Sequence, residues 1–344
     1  MTSSAEKTAY TNVALSDAKL NACTLFSGTL AEMNAMTGMV QGSKFLTTDT
    51  NALYYYDGAA WQLSHNGKSA FLVGDGSDGA ATISSNTDLG SSNKKKYSSL
   101  TINAAIYLTG NTGMRIMVLG NLNMSSTGII KADGKGSAGA STNNTAGTVG
   151  QYFGVNITNS GGGGSSTGGG GGGALFGAGG QGGNTGGAGG TPSTANPQGL
   201  FMMSSTIGGG GGCRNTLSPA GAGGGILYVG CGTISNPSTI SSNGLQGTDV
   251  ASTSNGAGGG GAGGVVIVYI TNGSSGALTV QANGGRGGNM TGTTTYGGGG
   301  GGGGYAVLVS MDSSSATVTA SLGAAGTGTT GNGVAGNAGY TLVI

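Results

Sequence analysis

Few residues in this chain can do chemistry. The acids of the last 209 residues are Asp249 and Asp312, and the bases there are Arg214 and Arg286. Hydrolysis of a glycosidic bond needs two carboxylates about 5–10 Å apart. Asp249 and Asp312 are 63 residues apart in sequence, which fits no repeat of the chain, so they are not expected to share a face. Asp133 is also isolated. The single histidine, His65, follows Trp61 and has no nucleophile pattern around it. GDGSDG (74–79) offers Asp75 and Asp78 to a cation but lacks the rest of a calcium loop. Three cysteines, Cys23, Cys213 and Cys231, are too scattered for a disulfide framework or a zinc site. Glycine runs match dinucleotide-binding patterns trivially, without the strand–turn–helix context the chemistry requires. The expectation is a non-enzymatic protein without metal or cofactor.

Composition narrows the partners. The 344 residues carry a formal net charge of +1, and 7% are charged. Phosphate binding needs clustered Lys and Arg. The only basic run, Lys94–Lys96, sits among Ser, Asn and Tyr, so nucleic acid is not an expected partner. No stretch approaches the roughly 18 apolar residues of a membrane span. The first residues, MTSSAEKTAY, have no apolar signal region, so synthesis in the cytoplasm without ordinary export is expected.

The elements that must position any site are dominated by 81 glycines. Glycine-rich sequence is often a flexible linker. Here the apolar fraction is 36% and is concentrated in β-branched blocks, which argues for a core. Residues 98–344 repeat. IMVLGNLNMSSTGIIKADG (116–134), ILYVGCGTISNPSTISSNG (226–244), VVIVYITNGSSGALTVQANG (265–284) and AVLVSMDSSSATVTASLG (306–323) each read as strand, turn, strand and glycine. The closing glycines are Gly134, Gly244, Gly284 and Gly323. Glycine runs at 221–225, 256–264 and 297–304 precede the last three segments, and YTLVI (340–344) looks like the first strand of one more unit. The interval from 134 to 244 is an expanded stretch. Repeats of about 40 residues imply stacked units, each burying its neighbour's apolar face.

Polyglycine favours a three-residue-per-turn helix rising about 3.1 Å per residue, whose amides point outward to neighbouring chains. The fold class expected is therefore mainly β: a repetitive glycine-rich β-solenoid, or a sandwich of strands and polyglycine II, with a small N-terminal α+β attachment region. The domains expected are an attachment region (1–66), a polar linker (67–97) and the repeat domain (98–344). Within the first, helical spacing covers 15–40 with Ser16-Asp17 as N-cap, and 44–64 reads as strands with an Asp57-Gly58 hairpin.

Several of these residues resemble a known family. LAEMNAMTGM (30–39) is similar to an E-L-N-x-L-D-G element of tailed-phage tail fibres, with Met33 and Met36 at the Leu positions and Thr37 at the Asp. GSKFLTTDTNALYYYDGAAWQL (42–63) resembles the F-x-x-T-D-T-x-x-x-Y-x-Y-D-G-x-x-W segment of phage tail and fibre proteins. SLTINAAIYLTGNTGMRIMVLGNLNMSSTGIIKADG (99–134), followed by glycine repeats, resembles the glycine-rich C-terminal modules of phage receptor-binding proteins. The resemblance implies a virion tail fibre or adhesin. Its N-terminal part would dock to other tail or fibre proteins, and its C-terminal part would bind a host surface protein or glycan. It also implies a homo-oligomer, with a trimer favoured. A capsid fibre, a decoration protein or a spacer without receptor binding is a second reading. An ice- or surface-binding glycine-rich protein is a third.

On any of these readings, specificity sits where glycine stops. Exposed aromatic, Met and Arg side chains anchor interfaces. The contact candidates are Tyr152 and Phe153, the run Leu200, Phe201, Met202 and Met203, then Arg214, Met290 and Tyr296.

Overall fold

The computed structural model describes residues 25–39, 41, 43–48, 52–56, 58–66, 73–89, 94–107, 113–142, 144–148, 151–152, 155–156, 169–184, 186–192, 209–212, 218–251, 254–310 and 315–344. These divide into two compact units, 1–74 and 75–344. The described elements are strands plus one short helix, so the fold is mainly β.

In the first unit, strands Leu25–Gly28, Lys44–Thr47, Ala52–Tyr56 and Trp61–Asn66 form one sheet in sequence order. The last two make the expected antiparallel hairpin, with Tyr56 opposite Trp61. Helix Leu30–Asn34 is capped by Thr29, whose hydroxyl accepts the Glu32 N–H while the Glu32 carboxylate accepts the Thr29 N–H. This reciprocal box satisfies two donors a short helix would leave open. Helix was expected over 15–40. Residues 15–24 lie outside the described residues, and 25–28 form a strand instead. Phe26 is buried while Ser27, next to it, reaches the surface, as in a strand whose successive side chains point to opposite faces. Phe26, Met33 and Phe45 form the core, with the Trp61 ring edge-on to Phe45 at 5.9 Å.

The second unit contains two parallel sheets. Strands Ala80–Ile83, Ser99–Ile102, Met114–Met124, Ile226–Ser235, Val265–Ile270, Tyr305–Ser310 and Tyr340–Val343 follow one another across the wider sheet. Thr87–Asp88, Ala105–Tyr107, Ile129–Lys131, Thr239–Ser241, Thr279–Gln281 and Thr317–Thr319 do so in the second. Each repeat contributes one strand to each sheet, in the same register as its neighbour: Leu227 pairs with Val266, and Val266 with Ala306. Side chains from both sheets meet in one core that includes Ile116, Val229, Val268 and Leu308 from the wider sheet and Ile130, Ile240 and Val280 from the second. The wider sheet is buried on its other face too, where Tyr228, Ile267 and Val307 are almost fully enclosed. That explains its continuous apolar runs, as in parallel sheets covered on both sides.

Of the linker expected over 67–97, the described residues from 75 on carry strands of the second unit. Ala80–Ile83, Thr87–Asp88 and Lys94–Tyr97 pair into the two sheets. Their polar composition reflects an edge position, where one face of the strand meets solvent. Asp75 and Asp78, the candidate cation ligands, are used in the turn before that edge. The Asp75 carboxylate accepts the Ser77 N–H at 3.1 Å and the Lys96 ammonium, while Asp78 accepts the Lys96 N–H at 2.6 Å. The Lys96 and Ser77 bonds hold Asp75 well below the usual carboxylate range.

Candidate functional site: the loop end of the glycine network

Each forward strand is led in by a glycine-rich segment (218–225, 256–264, 297–304, 331–339), and each return strand is followed by another (132–140, 242–248, 282–289, 320–328). The hydrogen bonds among these segments are regular. In 297–304 every N–H donates and every C=O accepts. Gly297, Gly300 and Gly303 donate to Gly331, Val334 and Asn337; Gly298, Gly301 and Gly304 donate to Gly288, Gly285 and Ala282; Gly299 and Gly302 donate to Gly170 and Gly173. The carbonyls accept from Gly177, Gly180 and Gly183, from Gly323 and Gly326, from Tyr340, and from Gly260 and Gly263. Every third residue thus addresses the same neighbour, and the run is bonded to six other segments. A Cβ at any of its eight positions would come closer than 3.0 Å to a backbone carbonyl oxygen. Only glycine permits that approach.

The expanded stretch between Gly134 and Gly244 has a role here. Segments 169–174, 177–183 and 209–212 lie against 256–264 and 297–304 and complete their shells: Gly170 donates to Ala257, and Ala262 to Gly209. The glycine-richest runs are the enclosed ones. In 320–328, at the margin, only Ala320, Gly323 and Gly326 are buried and the residues between them reach solvent.

Side-chain diversity returns at the end of the network away from the long strands, in Val250–Ala251, Ser254–Gly256, 290–296 and 327–331. These loops stack in register: Val250 pairs with Met290, Ser254 with Thr294, and Tyr296 bridges to Gly331. The stack is fixed by side chains that accept backbone N–H groups from the next repeat. Asp249 Oδ1 accepts from Asn289 at 2.7 Å, and Asn289 Oδ1 accepts from Thr327 at 2.8 Å. The Arg286 guanidinium grips both Asp249 oxygens at 2.8 Å. Burial acts to raise the Asp249 pKa, but the Asn289 N–H and Arg286 outweigh it, so the carboxyl titrates below its usual range. Thr295, fully buried, donates to the Met290 carbonyl at 3.1 Å and accepts the Thr329 N–H at 3.0 Å. What remains exposed is hydroxyl-rich: Thr248, Thr291, Thr293, Thr294, Thr327 and Thr330.

The sequence candidates divide accordingly. Tyr296 is half-buried at this end, its ring near Gly331. Met290 is buried, 1% exposed, and is therefore a packing residue of the loop stack rather than a surface anchor of the isolated chain. Tyr152 lies in Gln151–Tyr152, paired antiparallel with Val155–Asn156. Phe153, Leu200, Phe201, Met202, Met203 and Arg214 lie outside the described residues.

Asp133 sits at the other end, where the strands give way to glycine. It accepts the Asn243 N–H at 2.6 Å and the Ser241 hydroxyl at 3.1 Å, and burial pushes its carboxyl up against both bonds. Asn243 and Asn283 repeat the device one and two repeats on, accepting the N–H groups of Asn283 and Ser321 at 2.8 Å. This column was missed in the sequence, although its signal was present: an Asp or Asn stands directly before Gly134, Gly244 and Gly284. Asp133 is thus a structural acceptor, and Asp249 is tied to Arg286; Asp312 lies outside the described residues. Among the described residues, no group of three or more His, Cys, Asp or Glu could hold a metal ion, and no helix is long and apolar enough to cross a membrane. Cys231 is buried in the core with its thiol pushed up to about 12, so it is not a nucleophile at neutral pH.

No family model, no curated protein and no solved structure matches the chain.

Proposed function

We propose that this protein is a non-enzymatic tail-fibre or receptor-binding component of a tailed-phage virion. Its repeats form a β-solenoid that runs on into a polyglycine II lattice, and the loops at the lattice end and in the expanded stretch contact the host surface. The observation that carries the reading is the complete backbone pairing of 297–304 with six neighbours. Such a run needs no side chains for its own cohesion, so loop residues other than the Asp249, Asn289 and Thr295 acceptors can vary with a receptor while the scaffold stays fixed. The likeness of residues 30–39 and 42–63 to fibre segments supplies the virion context, with the first unit as the dock to other tail or fibre proteins.

The test is binding of the full chain to intact cells of candidate hosts, in competition with particle adsorption. Saturable binding that blocks adsorption is expected. A chain that assembles onto particles yet neither binds cells nor blocks adsorption is a spacer or decoration protein.

A further inference from the structure

The two edges of the wider sheet differ in their protection. The first, Ala80–Ile83, follows a turn that carries Asp75, Asp78 and the Lys96 ion pair. Charges beside an edge strand oppose pairing with another chain. The last, Tyr340–Val343, has none, and no charged residue occurs from Ser313 to Ile344. Apolar side chains stand out along this edge: Val334 55% exposed, Tyr340 48%, Val343 49% and Ile344 66%. Among the described residues, the backbone of this edge is half used. Tyr340 donates to Gly304, Ile344 donates to Leu308, and the Ile344 carbonyl accepts from Ser310. By the alternation of a parallel ladder, Thr341 and Val343 turn their N–H and C=O groups away from the sheet.

We propose that this edge is the contact between two copies of the chain, which pair Tyr340–Ile344 antiparallel about a two-fold axis through Leu342. That register sets Thr341 opposite the partner's Val343, and two such pairs exchange four hydrogen bonds, using every outward group of the strand. It sets Tyr340 opposite the partner's Ile344, an aromatic–β-branched pair of the kind that stabilises adjacent strands. A two-fold contact places each residue type against a self-complementary patch, so it brings like charges together wherever an edge carries them. This edge carries no charged side chain. A head-to-tail contact with Ala80–Ile83 would instead leave both ends open and grow into a filament.

The experiment is light scattering on the full chain after size exclusion, with a Leu342→Cys variant oxidised in parallel. A mass of twice 32.6 kDa is expected for the parent. Val343→Lys, at an exposed position, should return it to 32.6 kDa with an unchanged circular dichroism spectrum. At the axis Leu342 meets itself as a non-hydrogen-bonded pair with Cα atoms about 4.5 Å apart, within disulfide reach. Oxidised Leu342→Cys should therefore run as a covalent dimer, while the parent with its own three cysteines and the Thr341→Cys variant should not. A monomeric parent, a trimer, or an oligomer that survives Val343→Lys and gives no Leu342→Cys cross-link overturns the proposal.

Discussion

The strand half of a repeat, such as Val265–Ile270, presents Val266, Val268 and Ile270 to a shared core. The glycine half, 256–264, presents almost no side chain and instead uses its N–H and C=O groups in three directions. Both halves bury their backbone, and both stack in steps of one repeat. They differ in what a neighbour sees. A strand's neighbour in the next layer sees side chains that can be exchanged for others of similar volume. A glycine segment's neighbour sees main-chain atoms at contact distance: in 256–264 only Ala257 and Ala262 carry a Cβ, and one added at Gly258 to Gly261, Gly263 or Gly264 would come closer than 3.0 Å to backbone. Stability of the first kind is graded in buried area; that of the second is set by geometry and tolerates no added atom at the close-contact glycines.

This predicts an inversion of the usual mutational order. Adding one methyl in the network should harm more than removing several from the core. Gly301→Ala places a Cβ against the Gly261 carbonyl, with Ala262 directly behind it. Overpacking a side-chain core costs about 1–3 kcal/mol, and rigid backbone on all sides allows less relief. We expect Gly301→Ala to fall in the exceptional class above about 4 kcal/mol, read as loss of the cooperative thermal transition. Leu227→Ala, at a fully buried core position, should cost about 2–5 kcal/mol and leave a folded protein with a lower Tm. If Gly301→Ala proves the milder of the two, the network is looser than its hydrogen bonds imply.

These halves were also unequally legible in the sequence. The strand pairs at 226–244, 265–284 and 306–323, and the extra strand in YTLVI, were readable because apolar blocks recur with a turn and a closing glycine. That the glycine runs are structured was readable from their recurrence. Their neighbours were not. A run of identical residues carries no register, so nothing in GGGGGGGG says that Gly300 bonds to Val334 while Gly301 bonds to Gly285. One clue was overlooked: the fraction of glycine in a segment tracks how many sides of it are covered, from every residue in 297–304 to about every third in 320–328. The loop end was legible only through Tyr296. Met290 looked like an anchor because a lone Met in a Thr-rich loop gives no sign of facing inward. The Asx column was hidden because its effect is exerted across repeats, on N–H groups 40 or 110 residues away.

That column allows a finer comparison between repeats. Asp133 occupies the place that Asn243 and Asn283 fill in later repeats, and burial raises its pKa. A raised carboxyl pKa means that the folded state holds the proton more tightly than the unfolded chain. Its stabilising contribution is present below the ordinary value of 3.8 and is lost as pH rises through the folded pKa. At neutral pH the ionised group is therefore a burden that an amide would not carry. Asp133→Asn keeps an acceptor for the Asn243 N–H and should raise Tm at pH 7. The gain should vanish near pH 3, where Asp133 is protonated in both states. A gain of equal size at both pH values would place its origin elsewhere.

The smallest effect is expected at the loop end. Arg286 and Asp249 form a close pair, but both reach solvent, with side chains 27% and 50% exposed. Pairs of this kind contribute about 0–1 kcal/mol. Arg286→Ala should therefore lower Tm by only a few degrees, since the Asp249 carboxylate still accepts the Asn289 N–H and the carbonyl that loses the guanidinium, Gly287, is only part-buried. The same substitution removes the only cation among the described residues of that end, so any ligand recognised through charge would lose affinity tenfold or more. A receptor read through threonine hydroxyls and Tyr296 would bind the variant as it binds the parent. Cell binding of Arg286→Ala at matched protein stability thus separates charged from neutral recognition, because the scaffold beneath the loops meets this side chain at the Gly287 carbonyl, at 2.8 Å, and is otherwise held by main-chain bonds.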